Sequence, residues 1–311
     1  MNKIQGLSVI ECGYCDNGWS VDFSSGVPVY RSSLKPFQKP RETEFFHRSG
    51  LYGEAGVPAE IHEINYDRYS QYEPYEGVHR EYSDLVTDAV KKGHVVLAVG
   101  GYCNYAPAIA GGIRRALGKD KKIGLVWIDA HADCRIAETA GAPVRFVSFP
   151  LSTMVGLTMP DFRSDICGLT VPLCGNDVLA SDLRIMDEPT AANVEKAGII
   201  VLDGSVFEKE AEWTKKVNEL AERVDAIYLS VDADILKFEH IPSYIKRVPF
   251  GHDVDVVCRN VGAVMRTGKV LAFSLFCFNF DLYENGGETT FLTEQAIIKA
   301  GLENWKQKPE G

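Results

Sequence analysis

The stretch Gly-Leu-Val-Trp-Ile-Asp-Ala-His-Ala-Asp, residues 124–133, decides how this chain is read. An apolar run of strand type ends there in three ligand-type side chains, Asp129, His131 and Asp133, at alternating positions. Side chains repeat every two residues along an extended chain, so these three are expected to face one way. A second run, Ala-Ile-Tyr-Leu-Ser-Val-Asp-Ala-Asp at 226–234, has the same form and ends in Asp232 and Asp234. Four carboxylates gathered in one place repel one another unless a cation lies among them. An oxygen-rich set with one imidazole suits hard or borderline divalent ions such as Mn²⁺. Either stretch alone reads equally well as a solvated strand end. The pair predicts a metal site, one holding two ions.

Strands and helices alternate around these two stretches. Apolar runs predict strands over Ser8–Glu11, Ala59–Ile64, His94–Val99, Ile123–Ile128, Ile199–Leu202, Ala226–Val231 and Val270–Phe276. Amphipathic patterns predict helices over Glu81–Lys92, Ala106–Leu117, Ala192–Ala197, Val206–Arg223, Asp253–Thr267 and Phe291–Trp305, three of them stopped by Gly93, Gly118 and Gly268. Residues 13–56 read as a long loop with one short helix, and 134–180 as irregular with at most a helix near Ser152–Gly156. Such alternation implies an α/β fold with a mainly parallel sheet covered on both faces. Sheets of this kind bind ligands beyond the carboxyl ends of their strands, which is where both acidic clusters fall.

The 311 residues are 45% hydrophobic and 24% charged, ample for a large core, and no linker-like break divides them, so 1–311 reads as a single domain. The formal charge of −10 argues against nucleic acid and anionic membranes as partners and leaves a small molecule as the expected one. No run approaches the roughly 18 apolar residues of a membrane span, and the first residues lack a secretory pattern. Eight scattered cysteines suit reduced thiols, so a cytoplasmic location is expected. Cys12 and Cys15 form a lone C-x-x-C without a second pair, which argues against a structural zinc. Gly100-Gly101 is the one glycine-rich strand–helix turn, and it lacks the G-x-G-x-x-G of a dinucleotide site.

Asp-Ala-His-Ala-Asp (129–133) and Ser-Val-Asp-Ala-Asp (230–234) resemble the two metal motifs of the arginase–agmatinase–formimidoylglutamase superfamily, the ureohydrolases. Three further segments fall in that family's order. They are Gly100-Gly101-Tyr102-Cys103-Asn104 at its Gly-Gly-Asp-His-Ser turn, Leu202-Asp203-Gly204-Ser205, and Ser274–Asp281 at its Glu-Val-Asn-Pro strand end. The resemblance runs from about residue 94 to the C-terminus. It implies a three-layer α/β/α fold with about eight strands, assembly as a trimer or hexamer, and two Mn²⁺ ions bridged by hydroxide that attacks a trigonal guanidine, amidine or related carbon. In this sequence it makes Asp129 and Asp232 the bridging ligands, with Cys103 and Asp133 completing one ion's site and His131 and Asp234 the other's.

The chain departs from the pattern where the chemistry is done. Cys103 replaces a ligand histidine, and thiolates suit softer ions than Mn²⁺. Zn²⁺, Ni²⁺ or a single ion are therefore open alternatives, as is a cysteine that only fills space. The family's proton-shuttling histidine is missing, since no histidine lies between 132 and 239. His240 is the nearest replacement in sequence, with His47 and His252 weaker ones, and Asp133 is the carboxylate expected to join it in catalysis. The family's guanidinium-binding Glu falls at Cys277, two residues before Asn279. Arg135 takes the place of a substrate-contacting Asn and reads either as a surface arginine or as a fork for a substrate carboxylate. Arg135, Cys277 and Asn279 are thus the expected substrate contacts. The resulting expectation is a metal-dependent hydrolase of a linear C–N bond whose substrate differs from arginine. A ureohydrolase-like protein that binds metal or metabolite without turnover is the alternative.

Overall fold

The computed structural model describes residues 4–13, 19–31, 46, 49–244, 246–278 and 286–305. Its main sheet is built from β1 (Gly6–Glu11), β4 (Ala59–Glu63), β5 (His94–Val99), β6 (Ile123–Ile128), β8 (Val178–Ser181), β9 (Ile200–Leu202), β10 (Ala226–Asp232) and β11 (Val270–Phe276). These eight strands lie in the order β4-β1-β5-β11-β10-β6-β8-β9, and every neighbouring pair is parallel. A small antiparallel sheet joins β2 (Ser20–Asp22), β3 (Val29–Arg31) and β7 (Val144–Arg145) in the order β3-β2-β7.

The helices are α1 (Pro74–Lys91), α2 (Ala106–Leu117), α3 (Pro150–Met154), α4 (Glu188–Ala197), α5 (Gly204–Glu208), α6 (Glu210–Arg223), α7 (Val254–Met265) and α8 (Gly287–Asn304). They pack in two groups, α1 with α2 and α6 with α7 and α8, which cover the two faces of the sheet. β6, β10 and β11 are therefore buried at every residue, on both faces. That is why they read as continuous apolar runs and not as alternating ones. No helix among the described residues is long and apolar enough to cross a membrane.

Two of the central strands satisfy their buried hydroxyls against each other. Tyr228 Oη lies 2.8 Å from Ser274 Oγ, which donates to Ser230 Oγ at 3.1 Å, so β10 and β11 share a buried hydroxyl chain just below the ligand-bearing ends.

Three expectations need correction. The stretch 134–180, expected to be irregular up to its end, contains β7 and delivers β8 at Val178–Ser181. The expected helix Val206–Arg223 is two helices, broken where Lys209 adopts φ −96° and ψ 103°. Within 13–56, the described residues hold β2, β3 and a 3₁₀ turn at Leu51–Ala55 in place of a plain loop. Cys15 and His47 lie outside the described residues.

Candidate metal centre

The four central strands, β5, β11, β10 and β6, each deliver ligand-type side chains at their carboxyl ends. Cys103 follows β5 in a 3₁₀ turn, Cys277 follows β11, Asp232 ends β10 and Asp129 follows β6. The strand register is the first cause of convergence. The second is turn geometry, and here the expectation of simple alternation along extended chain fails. Asp133 has a left-handed φ of 46°, and Asp234 sits in the 3₁₀ turn Ala233–Ile235. Asp129 Oδ1 accepts from His131 N at 2.6 Å, Asp232 Oδ1 from Asp234 N at 3.1 Å, and Asp234 Oδ1 from Ala130 N at 3.0 Å. These short loops, closed by the carboxylates themselves, turn the side chains toward one another.

Two groups result. The ligand atoms of Asp129, His131 and Asp234 lie within 4.8 Å of one another, and so do those of Cys103, Asp232 and Cys277. The charge of Asp133 is felt at the Cys103 thiol, which donates to the Val147 carbonyl at 3.7 Å. His131 Nδ1 is 2.6 Å from Asp234 Oδ2.

The electrostatics are those of charge held against its preference. Burial, then the neighbouring carboxylates Asp234, Asp232 and Asp133, push the Asp129 carboxyl well up. Burial, followed by the charge of Asp234, does the same to Asp232. Asp133 is pushed up to about 7, mainly by burial. Burial would lower His131, but its hydrogen bond to Asp234 and the surrounding negative charge outweigh that and lift it to about 9. Asp234 is correspondingly held down by His131 against its own burial. Asp129 Oδ2 is buried, accepts no hydrogen bond and stands beside the Asp234 carboxylate. Only a proton or a cation satisfies an oxygen so placed. The donor set and this orphaned oxygen fit divalent metal. Asp129, His131, Asp232 and Asp234 would hold it, with Cys103, Cys277 and Asp133 beside them.

A cavity of about 520 Å³ opens above the centre, lined by His131, Asp133, Arg135, Arg184, Ile185 and Asp187 among others. That is the size range of small-molecule sites. Arg135 stands at its rim with Nη2 2.6 Å from Asp187 Oδ2, both side chains about half exposed. Arg184 is deeper. It donates to Asp182 Oδ2 at 2.7 Å, to the Asp234 carbonyl at 2.6 Å and to the Pro249 carbonyl at 3.0 Å, tying three loops together.

The remaining expected residues part company. His240 pairs with Asp253 at 3.1 Å in a separate, more exposed group with Glu239, and no described contact joins it to the carboxylates above. His252 bridges Glu208 and Asp182. Asn279 lies outside the described residues. Sequence reasoning missed Arg184, Asp187 and Tyr244. The Tyr244 hydroxyl donates to Asp234 Oδ2 at 3.3 Å from the loop after β10. A tyrosine in a proline-containing loop carries no signal of that placement.

Acidic and soft ligands gathered at the carboxyl ends of a parallel sheet, beneath a cavity of substrate size, define a metal-dependent hydrolase. The comparisons agree. The model of the arginase family matches residues 48–302. A formimidoylglutamase of Klebsiella aerogenes is 26% identical over 219 residues, 69% of this chain and 91% of that one. A formimidoylglutamase of Klebsiella pneumoniae is equally similar, but the match spans only 64% of its length. Arginase of Entamoeba histolytica, solved with L-ornithine, superposes with a TM-score of 0.78 at 16% identity, over 96% of this chain and 99% of that one. The chain belongs to the arginase family, and its reaction class is that family's: metal-dependent hydrolysis of an amidino or guanidino C–N bond.

Proposed function

We propose that the protein hydrolyses a formimino or related amidine compound that carries a carboxylate, in preference to arginine. The observation that carries this reading is the buried ligand cluster beside a cavity whose rim bears Arg135, in a chain that has Cys277 where the family's guanidinium-binding Glu falls. When bound, a pair of divalent ions, Mn²⁺ in the first instance, supplies an acidified water and a positive field for the charge that develops on the attacked carbon's substituents. Asp129 from one ligand group and Asp232 from the other would help to hold the ions. Asp234 fixes the His131 ring by its 2.6 Å hydrogen bond. The Tyr244 hydroxyl, held protonated by burial and by Asp232 and Asp234, is a donor aimed into the centre and stands where a developing negative charge needs one. Proton transfer through His240 requires a route that the described contacts do not supply, so Tyr244 is the first residue to test.

At the rim, Arg135 offers a planar fork to a carboxylate, and its present partner Asp187 is left to receive an ammonium once the substrate takes the fork. With Cys277 in place of that Glu, the position lacks the carboxylate that would pair with an arginine guanidinium. The formimidoylglutamase relatives support the same choice. The whole chain acting as one domain, a homotrimer or homohexamer, and a cytoplasmic location belong to this reading. Light scattering of the purified protein tests the assembly.

The test is turnover of metal-reconstituted protein on formimino, guanidino and amide compounds, read as release of the nitrogen-bearing product. Formimino-amino acids are expected to exceed arginine. Activity in the parent that survives Asp232→Ala unchanged defeats the reading. Absence of turnover together with one ion or none per chain favours the binding-protein alternative.

A further inference from the structure

The two ligand groups differ in kind. One is oxygen and nitrogen: Asp129, His131 and Asp234, with the His131 side chain about one-third exposed toward the cavity. The other holds two thiols and a carboxylate, Cys103, Cys277 and Asp232, all buried. The cysteines come from adjacent parallel strands, and their loops are pinned together where Cys277 N donates to the Gly101 carbonyl at 2.9 Å. Asp232 accepts from Asp234 N of its own turn on Oδ1 and lies with its ligand oxygen within 4.8 Å of both sulfurs, so it borders both groups.

We infer that the centre is asymmetric by design: Cys103, Cys277 and Asp232 form a thiolate half-site for Zn²⁺ or another thiophilic ion, while Asp129, His131 and Asp234 take a harder ion such as Mn²⁺. The inference rests on the metal-dependent reading above. Three lines carry it. First, in a tetrahedral zinc site with Zn–S near about 2.3 Å, sulfur atoms stand about 3.8 Å apart. Donor atoms already within 4.8 Å need only a small contraction to reach that spacing. Second, two thiolates, one carboxylate and an open fourth position form the ligand count of a catalytic zinc, and soft sulfur disfavours Mn²⁺. Third, the buried oxygen of Asp129 that lacks a donor lies in the other half, which therefore has a demand for positive charge that the thiol half does not meet. On binding, both thiol protons leave to solvent and the sulfurs coordinate as thiolates. Asp133, whose charge reaches Cys103, is placed to support the sulfur from outside the ligand set. Cys277 is thereby a ligand and not a substrate contact.

The experiment uses the full chain, stripped with chelator and reloaded with Co²⁺ or Zn²⁺. The parent is expected to show a near-ultraviolet thiolate-to-Co²⁺ charge-transfer band. That band should persist in His131→Asn and disappear in the Cys103→Ser/Cys277→Ser double variant. Zn²⁺ affinity of Cys277→Ser should fall by more than the about 100-fold that loss of a merely supporting group costs. X-ray absorption of the Zn²⁺-loaded parent needs no variant and should find sulfur at about 2.3 Å. Co²⁺ or Zn²⁺ bound without sulfur in its shell, or Cys277→Ser holding Zn²⁺ as tightly as the parent, overturns the inference. A sulfur signature without turnover upholds it and removes the hydrolase reading. Turnover with Mn²⁺ alone and no sulfur signature does the reverse.

Discussion

Strand β10 has an aspartate at each end, and the two live in opposite worlds. Asp225, just before its first residue, is exposed. It takes a 3.0 Å ion pair from Lys121 and a 2.8 Å hydrogen bond from Lys122 N. Those backbone and side-chain donors hold its carboxyl below the ordinary range. Asp232, at the other end, is buried, and its burial together with Asp234 drives it the opposite way. The same contrast holds for the whole sheet. At the amino ends, Lys269 Nζ reaches the Val224 carbonyl at 2.6 Å and Trp305 Nε1 the Val270 carbonyl at 2.9 Å, so the donors there find acceptors. At the carboxyl ends, charges are collected faster than partners are supplied. The lesson is that one end is built for stability and the other is held in tension for a ligand that returns the missing charge.

The largest effect that tests this contrast is on turnover. Asp232→Ala in metal-reconstituted protein should lower kcat/KM by at least about 1000-fold, since a positioned metal contributes several kcal/mol. Asp225→Asn should leave it within error. Equal losses would erase the distinction between the two ends.

Next is stability at the amino end. Trp305→Ala should cost about 3–5 kcal/mol, read by denaturant unfolding, with turnover per folded molecule unchanged.

Metal binding gives the third prediction. Divalent metal at 100 times its Kd should add about 2.7 kcal/mol to unfolding free energy and raise Tm. Metal-free Asp129→Asn should be more stable than the metal-free parent near neutral pH by about 1–3 kcal/mol, because a buried carboxyl whose ionisation its neighbours oppose is replaced by a neutral amide. A variant less stable than its parent would mean that Asp129 is not strained.

The pH dependence of the metal-free protein follows from the same groups. Asp133 is raised from 3.8 to about 7 and His131 from 6.5 to about 9. A raised folded-state pKa gives stability that is complete below the unfolded value and lost as pH climbs through the folded one. Asp133 therefore withdraws stability between about pH 4 and 7, and His131 between about pH 6.5 and 9. Tm of the stripped protein should fall across that span, and added metal should flatten the fall. The smallest expected effect is Asp225→Asn on Tm, which should be too small to resolve.

The central strands were legible because burial on both faces leaves an apolar run bounded by a glycine or a ligand. His94–Val99, Ile123–Ile128 and Val270–Phe276 are found where the sequence predicts them. β8 was not legible: its four residues Val178–Ser181 follow a long irregular stretch and are too few to show a period. The ligand residues were visible as motifs, but the cause of their meeting was misjudged. Alternation along a strand does not produce the φ of 46° at Asp133 or the 3₁₀ turn at Asp234. Cys277 reads as a substrate contact because it falls where the family has its guanidinium-binding Glu; its nearness to Cys103 comes from the β5–β11 pairing, which joins strands distant in sequence. Arg184 and Tyr244 sit on loops whose course no local pattern encodes.

The exposed pair of Arg135 and Asp187 at the cavity rim has a practical corollary. Neither residue belongs to the ligand groups, but Asp187 also caps the helix Glu188–Ala197 by accepting from Thr190 N at 3.1 Å, so exchanges there must keep a capping side chain such as Asn or Ser, whereas Arg135 can be varied freely. A library restricted to these two positions would redirect which molecules enter while leaving the reactive machinery intact, and this protein would serve as a chassis for remodelling selectivity by its gatekeepers alone.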